Sequence, residues 1–104
     1  MVSLNIVSLP LHIDEFRIWL AEQNIDLIAF NETRLDSNIN DNQVRLNNYE
    51  LIRKDRNRNG GGVCVYIKSH INYRVRSDLM SEETESIVIE IIKPNSKPFA
   101  IIIA

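Results

Sequence analysis

The chain has one cysteine, two histidines, three glycines, three prolines and one tryptophan among its 104 residues. Each scarcity removes a class of chemistry. Cys64 stands alone, so no intrachain disulfide can form, which favours a reducing compartment. His12 falls near a predicted helix start and His70 in a predicted turn, where surface roles are the ordinary expectation. There is no paired Cys or His metal motif, no Walker loop and no GxSxG. Cys64 reads as a small core residue rather than a nucleophile. No apolar run reaches the length of a membrane span. The opening MVSLNIVSLPLHIDEF has no basic n-region and meets charge at Asp14, so it does not read as a signal peptide. Asn31-Glu32-Thr33 matches a glycosylation sequon, a coincidence without a secretory signal.

What is present fits one small globular domain: 44% hydrophobic and 25% charged residues. The net charge of −2 conceals an uneven distribution. Residues 1–44 carry −5, residues 45–76 carry +6, and residues 77–104 carry −3. A basic middle in an acidic chain is either an anion-binding face or an ordinary solvated surface.

Periodicity orders the elements. Val2 to Ile6 alternates apolar and polar residues and predicts a first strand. Pro10 suits a helix start, with Asp14 and Glu15 in the early turns. Ile13, Phe16 and Leu20, with neighbouring Trp19, form one apolar stripe; Arg17, Glu22 and Gln23 fall largely on the wet side. Asn24 is a candidate C-cap. Ile25 to Phe30 is continuously apolar apart from Asp26, as expected of a strand covered on both faces. Thr33 to Asn48 is polar and reads as a long loop with one helical turn, of the kind that is often functional or mobile. A hairpin follows, Tyr49–Lys54 against 62–68, with Asn59-Gly60-Gly61 at its tip. Gly62, opening the second strand, allows a close backbone approach. Residues 73–77, 86–92 and 99–103 predict three further strands. The class is α/β or α+β, with one early helix and largely antiparallel pairing after it.

Strand, helix and strand within about thirty residues make a βαβ unit with parallel strands and a right-handed crossover. The carboxyl ends of such strands share one sheet edge, the usual ligand edge of open α/β sheets. If the two strands are neighbours, Asn5 and Glu32 meet there. An amide oxygen beside a carboxylate suits Mg²⁺, which prefers hard oxygen ligands and keeps several waters. The alternative is a locally bonded Asn5 and a solvated Glu32. Gly60-Gly61-Gly62 is too short to read as a phosphate loop. The sequence stops inside the apolar run Ala100-Ile101-Ile102-Ile103-Ala104, so continuation in the intact protein is expected.

Three segments, Leu4-Asn5-Ile6, Ile25 to Leu35 (IDLIAFNETRL) and Arg58-Asn59-Gly60-Gly61-Gly62-Val63, resemble the endonuclease/exonuclease/phosphatase superfamily. The nearest flavour is the endonuclease domain of non-LTR retrotransposons, and the resemblance spans nearly the whole chain in order. It implies a DNase I-like four-layered α/β sandwich, here its N-terminal half over residues 1–104, and phosphodiester cleavage with Mg²⁺ or Mn²⁺. The metal and phosphate roles of the family's strand-ending Asn and Glu carry over to Asn5 and Glu32. Arg53, Lys54, Arg56 and Arg58 on the basic hairpin are then candidate contacts to the DNA backbone.

The chain departs from the family pattern in two places. Val7 stands where an Arg often follows the Asn by two residues. The family's Asp-x-Asn and Asp-His pairs belong to a second half that these residues do not include, so the chain alone is expected not to hydrolyse DNA. The resemblance further implies a downstream reverse transcriptase in the same polypeptide, and a nuclear site of action. Alternatives are an abasic-DNA endonuclease or a lipid or inositol phosphoesterase of the same fold, or a non-catalytic retroelement remnant that binds nucleic acid. With half the sandwich missing, an uncovered sheet face, marginal stability or self-association is expected.

Overall fold

The computed structural model describes residues 2–5, 9–31, 33–55, 61–80, 85–95 and 97–103, with only the backbone path for 2–5, 10 and 11. Strand β1 (Val2–Asn5) leads to helix α1 (Leu9–Leu20), and β2 (Leu27–Asn31) returns parallel to β1. A 3-10 helix (Asp41–Val44) precedes the hairpin β3 (Tyr49–Lys54) and β4 (Val63–Lys68). Strands β5 (Tyr73–Val75), β6 (Ile87–Ile91) and β7 (Phe99–Ile103) complete the order, with a second 3-10 helix (Ser77–Leu79) after β5.

The strands form two sheets. One has the order β1-β2-β4-β3, parallel only at β1/β2; the other is antiparallel, β5-β6-β7. The early βαβ unit and the later antiparallel pairing are therefore both present. Alternation along β2 and β4 explains the layering. Ile28, Phe30, Cys64 and Tyr66 point to the helix side, where they pack with Leu9, Ile13, Phe16 and Leu20. Leu27, Ala29, Val63, Val65 and Ile67 point the other way, onto Ile87, Ile89, Ile91 and Ile103 of the second sheet. Strand β2 is buried on both faces, as its apolar run predicts. Phe30 is fully buried between Phe16 and Tyr66, both edge-on, with centroids 4.8 and 5.9 Å away. Burial of such a ring contributes about 1.5–3 kcal/mol.

Several boundaries move. Helix α1 begins one residue before Pro10 and ends at Leu20, four short of Asn24, with a turn over 21–22. Trp19 is 41% exposed and leans on Phe16 rather than joining the core. Arg17 is folded back: its guanidinium donates to the carbonyls of Arg45 and Gln43 and pairs with Asp14. The polar loop is anchored by its few apolar residues. Leu35, Val44 and Leu46 are buried beside α1, and the buried Tyr66 hydroxyl donates to Val44 O at 2.6 Å. Its helical turn is present, closed by a reciprocal Asn40/Gln43 capping box.

The second sheet turns a mixed face outward. Arg74 and Arg76 bind Glu90 from both sides at 2.7 Å, and Arg76 also pairs with Asp78. Ile102, 68% exposed, stands on this face; Phe99, 46% exposed at the start of β7, lies on the opposite side with Lys93 Nζ 5.6 Å from its ring.

Candidate functional site at the carboxyl edge of the first sheet

The register across the first sheet places one residue from each strand on a single rung. Asn5 pairs with Asn31, Asn31 with Val63, and Val63 with Lys54. With neighbouring strands about 4.8 Å apart, this rung spans roughly 14 Å. The first strand's Asn5 thus lies beside the residue that precedes Glu32 in sequence. The basic end of β3 stands on the same edge. Glu32 itself, and Arg56 and Arg58 of the hairpin tip, lie outside the described residues, and so does Asn59-Gly60.

The segment after β2 is fastened by backbone bonds. Thr33 N donates to Gly62 O at 3.3 Å and Arg34 N to Gly61 O at 3.0 Å. Leu9 N, at the start of α1, donates to Thr33 O at 2.8 Å. The two sequence motifs NETR and GGV are therefore hydrogen-bonded to each other and to the helix. Glycine is required on one side of this junction, because Gly61 and Gly62 have φ of 76° and 90°. Arg34 also adopts a left-handed φ, 54°, which is uncommon for a residue with a Cβ.

Around Glu32 the polar atoms are unusual. Asn31 Oδ1 and Thr33 Oγ1 are buried without a hydrogen-bond partner among the described residues, and Arg34 Nε likewise. Thr33 is fully buried. Buried polar atoms ordinarily find a partner, and these three flank Glu32, which lies outside the described residues. Sequence reasoning missed Asn31 and Thr33. The only signal was their polarity at the end of an apolar strand, and the register was needed to give it meaning.

Arg53 sits differently from a backbone-reading cation. Its side chain is 15% exposed. Nη1 donates to Ile39 O at 2.7 Å and reaches Asp41 at 3.1 Å; Nη2 donates to Asp36 O at 2.9 Å and to Asp55 at 2.6 Å. The hydrogen bond to Asp55, ahead of the burial that opposes it and the bond to Asp41, holds the guanidinium above its ordinary pKa. Arg53 staples the 36–41 loop to the hairpin, and its donors face protein. Lys54 is half-buried at the rung's end. His70 is exposed; His12 is half-exposed, 3.7 Å from Glu15. Cys64 is fully buried, and burial raises its thiol pKa, as expected of a small core residue. Among the described residues no three His, Cys, Asp or Glu side chains converge on a metal site, and no helix is long and apolar enough to cross a membrane.

A search of curated proteins finds no match. Among solved structures, a 3′ phosphatase, NExo (D146N) from Neisseria, bound to product DNA hairpin, shares the fold with a TM-score of 0.64 at 14% identity. The match covers 97% of this chain and 39% of the Neisseria chain, so the present chain spans about two-fifths of that neighbour's length. The family model described as Endonuclease/Exonuclease/phosphatase family matches residues 3–102. That match extends over nearly every strand and the helix, and the chain belongs to the Endonuclease/Exonuclease/phosphatase family.

Proposed function

We propose that residues 1–104 supply one wall of a metal-assisted phosphodiester-cleaving site that acts on DNA, built around Glu32 and Asn5. The observation that carries this reading is the Asn5–Asn31–Val63–Lys54 rung, with unpartnered buried oxygens at Asn31 and Thr33 on either side of Glu32 in sequence. The donor set fits a hard divalent cation: a carboxylate, an amide oxygen from Asn5, and a buried amide oxygen at Asn31 with no protein partner among the described residues. Glu32 and Asn5 would hold Mg²⁺ or Mn²⁺, which when bound offsets charge developing on the phosphate and leaving oxygens. The chain's own contribution is orientation. The Gly61 and Gly62 carbonyls accept from Arg34 and Thr33, which follow Glu32 in sequence, and the parallel ladder pairs Asn5 with Asn31, which precedes it; these contacts support the reading.

The remaining walls come, in this proposal, from further polypeptide, in keeping with the 39% coverage of the Neisseria chain. DNA is the substrate class favoured by the basic stretch of residues 45–76, with Lys54, Arg56 and Arg58 as backbone contacts. Arg53 is given the structural role described above. The retroelement assignment, with its downstream reverse transcriptase and nuclear site, rests on the NETRLD and RNGGGV motifs. The neighbour's name favours a second reading, a phosphatase of DNA ends, which uses the same wall on a phosphomonoester.

Mn²⁺ titration of the isotope-labelled chain tests the site directly. Paramagnetic broadening is expected first at the amides of residues 5 and 31–34, and is lost in Glu32→Gln. Broadening spread over the surface carboxylates and unchanged in Glu32→Gln would refute it. The chain alone is expected not to nick supercoiled plasmid. Robust Mg²⁺-dependent nicking that Glu32→Ala abolishes would overturn the one-wall reading while leaving the site intact.

A further inference from the structure

At the opposite end of the first sheet lies a second concavity. Strand β4 runs from Val63, on the Asn5 rung, to Lys68, which pairs with Tyr49. Five strand steps of about 3.4 Å put the two ends roughly 17 Å apart. There, between the end of α1 and the chain entering β3, is a cleft of about 530 Å³. That volume is within the range of pockets that hold small organic ligands.

Its lining has a consistent chemistry. The charged residues are Arg17, Arg45 and Lys68, and no carboxylate lines it. Arg17 is neutralised by Asp14 and serves as a wall, stitching α1 to the carbonyls of Gln43 and Arg45. Among the described residues neither of the other two cations is ion-paired, although the Asp26 carboxylate stands near the same wall and, after burial, helps raise the Tyr49 pKa. The Arg45 guanidinium is exposed, with no partner among the described residues. Among the described residues Lys68 Nζ donates only to the neutral Asn24 Oδ1, at 2.6 Å. An electropositive recess here is unexpected in a chain of net charge −2 whose first 44 residues carry −5. Gln23, Asn42, Asn47 and Asn48, which carry side-chain amides, also line the cleft. Each amide both donates and accepts, which suits the edge of a heterocyclic base as well as a phosphate oxygen. Leu20, Leu46 and Tyr49 supply the apolar part of the lining, and the Tyr49 hydroxyl is donated to Ile25 O.

The cleft is also firmly built. Lys68 N donates to Asp26 O at 2.9 Å and Ser69 N to Asn48 O at 2.9 Å, closing the sheet end around it. Asn48 turns the chain with a φ of 69°.

We propose that this cleft binds a nucleotide, with its phosphate on Arg45 and Lys68 and its base over Leu20, Leu46 and Tyr49 among the amides. The site is separate from the Glu32 edge and does not depend on the function proposed for it. The nucleotide is either free or the phosphorylated end of a strand, since both present the same groups.

The test is an amide-shift titration of the labelled chain with deoxyadenosine 5′-monophosphate, inorganic phosphate and a 5′-phosphorylated single-stranded hexamer. Shifts are expected at residues 20–23, 45–49 and 68, with the nucleotide binding at least about tenfold more tightly than phosphate. Arg45→Ala should weaken nucleotide binding about tenfold, the scale of a lost charge-assisted contact. Lys68→Met should do the same, and Lys97→Ala, an exposed lysine elsewhere, should not. Tighter binding of the hexamer assigns a strand end; tighter binding of the monomer assigns a free nucleotide. Absence of shifts at millimolar nucleotide, or shifts that Arg45→Ala leaves unchanged, or shifts confined to residues 5 and 31–34, would each overturn the proposal.

Discussion

Replacing Arg53 separates the DNA contact expected from the sequence from the structural role its hydrogen bonds give it. The guanidinium makes hydrogen bonds to two main-chain carbonyls, Asp36 O and Ile39 O, and ion pairs with Asp41 and Asp55. Its side chain is 15% exposed and Asp55's is 24%, so water replaces these partners poorly; Asp41, at 68%, contributes little. Hydrogen bonds to a charged donor each contribute about 1.5–3 kcal/mol net of the bonds lost to water. Removing one partner of a buried pair costs about 3–5 kcal/mol. Partial exposure discounts both, and Arg53→Ala should lose about 2–4 kcal/mol. Arg53→Lys keeps the charge but not the fork, and should lose about half of that. In a domain of this size 1 kcal/mol shifts Tm by about 4–8 °C. Urea titration followed by far-UV circular dichroism gives the free energy, and DNA binding at low salt is measured on the same samples. A loss under about 0.5 kcal/mol combined with markedly weaker DNA binding would refute the staple and restore Arg53 as a phosphate contact.

Other consequences follow from particular contacts. Arg76 first, and Arg74 with it, hold the Glu90 carboxylate below its ordinary value of 4.5, and Arg76 does the same for Asp78 from 3.8. Their stabilising effect is complete above the unfolded values and is lost as pH falls from about 4.5 through the lowered folded values. Thermal stability should therefore drop below about pH 4.5, and Glu90→Gln should flatten that part of the profile; an unchanged profile would remove the triad from the account. Gly62→Ala forces a Cβ into a left-handed, buried position and should cost at least about 1–2 kcal/mol, with altered amide shifts at Thr33 and Arg34. Wild-type stability in that variant would show that the junction tolerates another conformation. Exposed Ile102 and Phe99 on edge strand β7 should make the chain self-associate at high concentration; Ile102→Lys should shift sedimentation toward monomer, and equal sedimentation of the two would place the contact elsewhere.

Much of the fold was legible because its signals are local. The alternation of Val2–Asn5, the apolar run ending at Phe30 and the hairpin around Asn59-Gly60 announce their elements within a few residues. The βαβ crossover has one permitted hand, so adjacency of Asn5 to the end of β2 followed once the two strands were taken as neighbours. The polar loop was harder. Leu35, Val44 and Leu46 are too sparse to show a period, and only the space beneath α1 reveals that they belong to the core.

What the sequence by itself determined is the order of elements and the parallel pairing that sets Asn5 beside the end of β2, because both depend on patterns within one strand or one crossover. The tertiary structure decided everything that needed two distant segments side by side. It split the antiparallel strands into two facing sheets and joined the Thr33 and Gly62 motifs by a hydrogen bond. It turned Arg53 inward and brought Arg45 and Lys68 to one cleft. A charge in sequence carries no direction; whether it meets a carbonyl, a carboxylate or open solvent is settled only by what the fold packs beside it.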